Sequence, residues 1–422
     1  MQEMIENRDA AERVLLVAVA PAENDEIKES LSELKELVRT AGGTVEGSVL
    51  QIRESVHPAT YLGKGKIEEI SERIRDSGIT GIVCDDELSP AQYNNLTDML
   101  DTKVLDRTML ILDIFASRAN TSEGKIQVEL AQLRYRAARL TGLGKSLSRL
   151  GGGIGTRGPG EKKLEMDRRL IGKRISVLKE ELAEVRCHRS LIREKRGEAP
   201  HRTAAIVGYT NAGKSTLLNR LTGASVLTED ALFATLDPTT RALELPDGNE
   251  ILLTDTVGFI RKLPHELIEA FRSTLEEVLY SDLIVHVVDA SNPDMDRQMA
   301  VVYETLYSLG AGGKPVYTLF NKIDRIENGH SPLMDPKADR VFHISALSGE
   351  GFPELISGFR DFILEGQILI ERLIPYQAAG VISLIRSQGI IREEEYRNDG
   401  IFIKALVPRS LYGKMESTLS GT

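Results

Sequence analysis

The segment GYTNAGKST, from Gly208 to Thr216, restricts the possible folds of this chain more than any other feature. It follows the strand-like run AAIV and precedes the helix-like run STLLNRL, which is the context in which a GxxxxGK[ST] phosphate loop occurs. In such a loop, backbone N–H groups surround the phosphates, Lys214 reaches the β and γ phosphates, and Ser215 offers a hydroxyl group to Mg²⁺. Taken alone, the pattern also fits a structural glycine-rich turn.

A second motif, DTVG from Asp255 to Gly258, follows the apolar run EILLT and begins 41 residues after Lys214. At the end of a strand, the Asp255 carboxylate can hold a Mg²⁺-bound water, and the Gly258 N–H can contact a γ-phosphate. By itself, a DxxG tetrapeptide is more often a turn that ends a strand. Its position after the phosphate loop favours a second strand of one nucleotide-binding fold.

The tetrapeptide NKID, from Asn321 to Asp324, follows the strand-like run VYTLF and indicates which base is bound. The Asp324 carboxylate can accept hydrogen bonds from guanine N1–H and from the exocyclic amine, whereas adenine presents an acceptor at the first position and lacks the second donor. A mismatch leaves buried polar groups unpaired, so we expect a preference for guanine of orders of magnitude. In the run SAL, from Ser345 to Leu347, a backbone N–H is expected to cap guanine O6.

Alternating strand-like and helix-like runs divide the chain into four predicted regions. Residues 1–123 show the βαβ pattern of a parallel sheet covered by helices, and residues 124–200 indicate two long helices that form a hairpin. Residues 201–366 are predicted to form a doubly wound P-loop domain. Residues 367–422 are predicted to form a small α+β domain, with GVISLIRSQG and GIFIKALVP as strand-like runs around an acidic turn. The predicted fold class is therefore α/β.

Charge is strongly segregated along the chain. The net charge is −10, yet residues 134–202 contain 19 Lys and Arg against 8 acidic residues, a net charge of +11 that leaves −21 elsewhere. The same region contains eight glycines between Gly142 and Gly160, and we expect this stretch to lack regular structure and to form a mobile tip.

Basic side chains in such a tip can neutralise RNA phosphates or stack on bases. The alternative is that they pair with acidic neighbours on an ordinary solvated helix. The candidates for RNA contact are Arg149, Arg157, Lys162 and Lys163.

Composition excludes several classes of protein. A net charge of −10 does not fit a protein that coats nucleic acid by bulk charge, and we expect no DNA partner. Cys84 and Cys187 lie 103 positions apart without a CxxC or Cys/His cluster, which predicts a reducing compartment. The sequence has no run of about 18 uninterrupted apolar residues and no basic signal-peptide flank. We therefore expect a cytoplasmic protein that has no integral membrane association. The expected oligomeric state is a monomer.

Further segments narrow the match to one group of proteins. The four nucleotide motifs, in this order, resemble the translation-factor-like branch of P-loop GTPases. The run FATLDPTTR, from Phe233 to Arg241, resembles the switch I of the HflX family, as do the DTVGFIRKLP run and the basic GGGIGTRGPGEKKLE segment. HPATYLGKGK, from His57 to Lys66, and the run from Leu105 to Tyr135 extend the resemblance over nearly the whole chain.

The resemblance implies a GTPase that uses GTP, GDP and Mg²⁺. It implies that this enzyme binds the large ribosomal subunit with its ribosomal RNA and dissociates idle or stalled ribosomes, notably under heat stress. The Mg²⁺ ligands would be Ser215 and Thr235, and the residues that carry hydrolysis would be Lys214, Thr235, Asp255 and Gly258. The nucleotide contacts of the family would fall on Gly208, Tyr209, Thr210, Asn211, Ala212, Gly213, Lys214, Ser215, Phe233, Ala234, Thr235, Leu236, Asp237, Asp255, Thr256, Val257, Gly258, Asn321, Lys322, Ile323, Asp324, Ser345, Ala346 and Leu347.

Phe259 follows Gly258, at the position where Ras-type enzymes have the glutamine that orients the attacking water. Because a phenyl ring cannot hydrogen-bond to water in this way, we expect slow intrinsic hydrolysis, unless a polar group elsewhere in the chain replaces the glutamine. Two other functions stay open at this point. One is a GTP-regulated assembly or RNA-binding factor for the large subunit, and the other is a signalling GTPase with a protein partner.

Overall fold

Parallel strands that alternate with helices build most of the chain in the computed structural model, which describes residues 12–147, 159–197, 202–223, 232–262, 277–326 and 333–419. The chain divides by mutual contact into two units. Unit 1 consists of Met1–Ala183, Glu229–Asp237 and Ile260–Arg272, and unit 2 consists of Glu184–Thr228, Pro238–Phe259 and Ser273–Thr422. The predicted α/β fold class is confirmed, and the four predicted domain boundaries stay predictions.

A parallel sheet with covering helices forms the N-terminal part of unit 1, in the strand order β2-β1-β3-β4. Leu15 and Val17 of the first strand pack with Ile82 in the core, and burial on both faces is why this strand is a continuous apolar run. The elements are β1 (Arg13–Ala20), α1 (Asp25–Thr40), β2 (Thr44–Ile52), α2 (Lys64–Ser77), β3 (Gly81–Cys84), α3 (Pro90–Leu100), β4 (Lys103–Asp106) and α4 (Arg107–Arg118).

Two long helices, α5 (Ser122–Leu147) and α6 (Pro159–Gly197), are the arms of the predicted hairpin. Leu130 of α5 packs against Leu178 and Leu182 of α6, so an apolar seam holds the arms together within unit 1. Within the described ranges, no helix is both long enough and apolar enough to span a membrane.

The glycine-rich stretch between the arms is more helical than its composition predicts. The expectation that all of it lacks regular structure is wrong, because residues 142–147 and 159–163 are helical. Extending an existing helix adds one hydrogen bond for each residue, which offsets a cost of about 1 kcal/mol for each glycine. Residues 148–158, where a mobile tip was expected, lie outside the described residues.

A mixed sheet forms the first part of unit 2, with the strand order β10-β9-β8-β5-β7-β6. Among the described residues of this sheet, the β6–β7 pairing alone is antiparallel, so the carboxyl ends of all strands except β6 lie along one edge. That edge is where an open parallel sheet binds its ligand. The elements are β5 (Arg202–Gly208), α7 (Lys214–Thr222), β6 (Thr239–Glu244), β7 (Glu250–Asp255), β8 (Leu283–Asp289), α8 (Met295–Ser308), β9 (Val316–Asn321), β10 (Arg340–His343) and α9 (Phe352–Leu364).

A three-stranded antiparallel sheet with two helices follows in unit 2, in the strand order β11-β13-β12. Its elements are β11 (Gln367–Ile374), α10 (Ala379–Gln388), β12 (Ile390–Arg397), β13 (Gly400–Pro408) and α11 (Arg409–Leu419). The predicted small α+β region is therefore confirmed as an architecture.

Two local predictions in this region are wrong. The run GVISLIRSQG, interpreted as strand-like, belongs to helix α10, in which Val381, Ile382 and Ile385 are the buried residues. These three residues share one helical face, so their spacing outweighs the strand preference of β-branched side chains. The acidic run that was interpreted as a turn is β12, whose residues pair with β13 and whose glutamates remain at a sheet edge.

A buried ion cluster ties together the carboxyl ends of the strands in unit 1. Arg107, 1% exposed, donates to Asp85, 0% exposed, with an Nη2–Oδ1 distance of 3.0 Å, and it also pairs with Glu33. The Ser30 hydroxyl donates to Asp85 Oδ2 at 2.8 Å, and Lys262 Nζ lies 2.6 Å from the same oxygen. Burial alone would raise the pKa of Asp85, but the two cations and their hydrogen bonds outweigh it, so the pKa lies below its usual value.

We predict that Arg107→Met lowers the free energy of unfolding of unit 1 by about 3 kcal/mol or more, because it removes the guanidinium from a buried carboxylate. Hydrogen exchange of β1 and β3 peptides in increasing urea measures this change. The exposed Asp98→Asn on α3 serves as the control, with an expected change near zero. Equal stability of the two variants would contradict the importance of the cluster.

Candidate nucleotide-binding site

The phosphate loop lies between β5 and α7, as predicted, and its lysine is enclosed by the loop. Lys214 is 6% exposed, and its Nζ donates to the carbonyl oxygen of Tyr209 at 2.8 Å. Burial lowers the pKa of Lys214 to about 8; the carboxylate of Asp255 opposes this shift, and the charge of Lys322 adds to it. A lysine in this state gains from an incoming anion, because a phosphate group would stabilise its protonated form.

The hydroxyl of Ser215 and the carboxylate of Asp255 form the centre of the site. Ser215 Oγ donates to Asp255 Oδ2 at 2.7 Å, and Asp255 is fully buried at the end of β7. Hard oxygen donors of this kind are the ligands that Mg²⁺ prefers. Among the described residues, Thr210 Oγ1 is buried without a hydrogen-bond partner, so the loop has polar capacity beyond its internal bonds. These residues therefore fit a magnesium-bound nucleotide phosphate.

The DTVG motif lies directly beside the phosphate loop. A Cβ atom built on Gly258 would lie 3.0 Å from Lys214 Nζ and 2.8 Å from Thr210 Cγ2, so this glycine allows the close approach. The next residue, Phe259, is 2% exposed and exchanges backbone hydrogen bonds with Gly208 and Thr210 at 3.0 and 2.8 Å. Its side chain is buried and apolar, and it offers no polar atom to an attacking water.

The predicted base-recognition motif is anchored on the phosphate loop. Asn321, 2% exposed at the end of β9, donates through Nδ2 to the carbonyl oxygen of Ala212 at 2.8 Å. Lys322 Nζ donates to the carbonyl oxygen of Asn211 at 2.8 Å and lies 2.6 Å from Asp289 Oδ2. The side chains of Asn321 and Lys322, at the end of β9 and just after it, thus hold the loop, and Asp289 of β8 holds Lys322.

Asp324 is the last residue of the NKID motif, and the SAL run follows strand β10. The Asp324 carboxylate is exposed in a 3₁₀ turn over Ile323–Arg325, where it is free to meet a ligand from solvent. Ser345 is fully buried, whereas Leu347 is 72% exposed. The backbone N–H of Ala346 donates to Asn321 Oδ1 at 2.8 Å. The expected cap on guanine O6 by a backbone N–H of the SAL run stays a prediction.

The predicted switch I run, Phe233 to Arg241, is divided between the units: Phe233 to Asp237, where nucleotide contacts are expected, belong to unit 1, and Pro238 to Arg241 belong to unit 2. Phe233 is 2% exposed, and its ring lies edge-on to Phe115 of α4 with a centroid distance of 4.6 Å. Leu236 is also buried, and Thr235 is partly exposed. The nucleotide roles of these residues, including Thr235 as a Mg²⁺ ligand, stay predictions.

Sequence reasoning missed the basic pair that follows the DTVGF run. In unit 1, Arg261 Nη1 lies 2.7 Å from Glu29 Oε2, and Lys262 Nζ lies 2.6 Å from both Asp85 Oδ2 and Asp86 Oδ1. Lys262 has a φ of 52°, a left-handed conformation that is unusual for a residue other than glycine. Two adjacent cations were a visible signal, but their carboxylate partners lie more than 170 residues away in sequence.

The candidates for RNA contact are only partly within the described residues. Lys162 and Lys163 lie in the first turns of α6, and Arg149 and Arg157 lie outside the described ranges. Their proposed contacts stay predictions.

Family models match three consecutive parts of the chain. Residues 28–116 match a model described as GTP-binding GTPase N-terminal, and residues 118–196 match one described as GTP-binding GTPase middle region. Residues 203–322 match a model described as 50S ribosome-binding GTPase.

Named relatives align over almost their whole length. A protein named GTPase HflX from Lacrimispora saccharolytica is 62% identical over 98% of this chain and 98% of its own. GTPase HflX from Caldanaerobacter subterraneus is 49% identical over 94% of this chain and 91% of its own. A crystal structure of a GTP-binding protein from Sulfolobus solfataricus in complex with GDP is 26% identical, covering 84% of this chain and 99% of that chain, with a TM-score of 0.45. The two relatives confirm the family resemblance, and together with the matched GTP-binding GTPase models they support the use of GTP.

We predict that nucleotide binding takes up a proton at pH 8.5, because a phosphate raises the lowered pKa of Lys214. Most of one proton should be taken up at pH 8.5 and little at pH 7.0, and affinity should fall as pH rises through about 8. Calorimetric titration with GDP in two buffers of different ionisation enthalpy measures the uptake. A pH-independent proton count would contradict the assignment.

Proposed function

The chain belongs to the HflX family of GTPases, and from this membership we propose that it binds the large ribosomal subunit and dissociates idle or stalled ribosomes, notably under heat stress. The chain hydrolyses GTP to GDP and phosphate. The observation that carries the proposal is the joining of the Ser215–Asp255 pair and the Asn321 anchor to one phosphate loop, in a region that matches a ribosome-binding GTPase family. We propose the cytoplasm as the location and a monomer as the working form.

In the proposed mechanism, water attacks the γ-phosphate directly, without a covalent intermediate on the chain. The Lys214 ammonium balances charge on the β and γ phosphates, and the Gly258 N–H donates to the γ-phosphate. Ser215 and Thr235 would hold Mg²⁺, with Asp255 contacting it through water. When bound, Mg²⁺ neutralises charge on the phosphate oxygens.

Slow intrinsic hydrolysis follows from the surroundings of Phe259. Its buried phenyl ring cannot orient the attacking water, and its backbone is held by Gly208 and Thr210. A group that orders the water must therefore come from elsewhere in the chain or from a partner. A ribosomal partner that orders the switches would couple hydrolysis to correct docking.

The helical hairpin is the proposed contact with ribosomal RNA. Its basic region has a net charge of +11 against −21 on the rest of the chain, so the attraction to phosphates is local. The 39 residues of α6 extend about 58 Å at 1.5 Å for each residue, which is long enough to carry a basic tip far from its base. The proposed contacts are Arg149, Arg157, Lys162 and Lys163.

For guanine recognition, we predict that Asp324→Asn lowers GTP affinity by at least about 100-fold, because one carboxylate acceptor becomes an amide donor. The same change should favour xanthosine triphosphate, whose base has an oxygen in place of the exocyclic amine. Equilibrium titration with both nucleotides measures the exchange. The exposed Asp296→Asn on α8 is the control and should bind GTP normally. Unchanged GTP affinity in Asp324→Asn would contradict the proposed contact.

For ribosome dissociation, we predict that the protein with GTP converts whole ribosomes to subunits in sucrose gradients. Substituting Arg157, Lys162 and Lys163 with Ala should weaken ribosome binding and reduce the slope of log affinity against log salt by about 2 to 3, because three phosphate contacts are lost.

The control removes three exposed cations from α1, namely Lys28, Lys35 and Arg39, and should leave binding unchanged. Ribosomes that stay intact while the protein remains bound to large subunits would favour an assembly factor. Binding that resists ribonuclease and depends on a protein partner would favour a signalling GTPase.

A further inference from the structure

Asp237 ends the segment Phe233 to Asp237, the part of the predicted switch I run that lies in unit 1, and it is bonded to the start of the hairpin in the same unit. Asp237 Oδ2 accepts hydrogen bonds from the backbone N–H groups of Asn120 and Thr121, each at 2.9 Å. Its Oδ1 accepts from the Thr121 hydroxyl at 2.5 Å. The carboxylate therefore receives three hydrogen bonds from the two residues that precede α5.

Thr121 is also the residue that caps α5. Its Oγ1 accepts from the Gly124 N–H at 3.0 Å, and its carbonyl oxygen accepts from the Lys125 N–H at 3.0 Å. The positive end of the helix dipole adds to the attraction for the Asp237 carboxylate. One carboxylate thus fixes the cap of a 26-residue helix.

Gly124 has the local geometry that this contact requires. A Cβ atom at Gly124 would lie 2.5 Å from Asp237 Oδ1 and 3.1 Å from Thr121 Oγ1, so any other residue would push the carboxylate away. Helix propensity does not explain glycine in the first turn, because glycine is a poor helix former. The close approach of Asp237 does explain it.

The other end of the same segment is fixed as well. Phe233 has a φ of 56° and packs its ring on Phe115 of α4. Thr235, the predicted Mg²⁺ ligand, therefore stands between two anchors in unit 1, two residues before Asp237. A shift of Thr235 must be absorbed within this short span or passed to an anchor.

Farther along, α5 is joined to the sheet of unit 1. Tyr135 Oη donates to Asp106 at 2.6 and 2.5 Å, and Arg139 Nη2 lies 2.5 Å from the same carboxylate. Asp106 itself is fully buried. The start of α5 is thus the part of the arm that is held by switch I, and the next turns are held by the sheet.

We propose that Asp237 is a positioning residue through which the ordering of Thr235 by GTP is passed to the start of α5 and so to the hairpin. The functional role of this link rests on the proposed function, because the hairpin is the proposed RNA contact. With GTP, the three hydrogen bonds to Asp237 hold the α5 cap; with GDP, the switch I segment releases and the cap opens more often.

The first test compares hydrogen exchange of amides 120–130 in the free protein with GDP and with a non-hydrolysable GTP analogue. In the unmodified chain, exchange should be at least about fivefold slower with the analogue. Gly124→Ala should remove the difference while GDP affinity stays unchanged. Gly172→Ala, in open space on α6, is the matched control and should keep the difference.

The second test uses GTP turnover with large ribosomal subunits. Gly124→Ala should reduce the stimulated rate about tenfold and leave the basal rate unchanged, a split that a general loss of stability would not give. Asp237→Ala should abolish the exchange difference, and Asp237→Asn should restore part of it, because an amide oxygen can still accept from Asn120 and Thr121.

Equal exchange with both nucleotides in the unmodified chain, or an unchanged difference in Gly124→Ala, would overturn the inference. Both results come from hydrogen exchange measured in the absence of ribosomes. A failure of the proposed ribosomal function would instead appear as absent binding and absent stimulation in the unmodified chain.

Discussion

The nucleotide site depends on the hydrogen bond from Ser215 Oγ, in the first turn of α7, to Asp255 at the end of β7. This bond links the helix that follows the phosphate loop to β7, and both lie where parallel strands present their carboxyl ends. Around this pair, the loop carbonyl groups of Tyr209, Asn211 and Ala212 accept hydrogen bonds from Lys214, Lys322 and Asn321 respectively. Three polar contacts therefore hold the loop in place, and a bound phosphate would stabilise the charge of its buried lysine.

The predicted nucleotide motifs are distributed over both units of the chain. The phosphate and base motifs belong to unit 2, whereas Phe233 to Asp237 of the predicted switch I run and the basic pair after DTVGF belong to unit 1. Inside unit 1, carboxylates fix both segments: Asp237 accepts hydrogen bonds from the residues that precede α5, and Asp85 and Asp86 pair with Lys262. Within unit 1, any rearrangement of these two segments must therefore break or keep these contacts.

Local sequence patterns predicted most of the fold and the residues at the centre of the site. The phosphate loop, Asp255 and Asn321 were predictable because each motif follows a strand and parallel strand ends meet at one edge. Helix α10 could not be predicted, because a short run of β-branched residues fits a strand as well as a helix. The buried face that distinguishes the two is known only from the structure. The contacts of Asp237 with Thr121 and of Lys262 with Asp85 could not be predicted, because they join residues more than 110 positions apart and leave no periodic signal.

We propose that this GTPase is specific for guanine and that a ribosomal partner completes its catalytic group. Phosphate release from GTP and from ATP, by the protein alone and with added large ribosomal subunits, tests this proposal most directly. We predict a low rate for the protein alone, strong stimulation by the subunits with GTP, and no stimulated turnover of ATP. A GTP rate that the subunits leave unchanged, or an equal response to ATP, would contradict it.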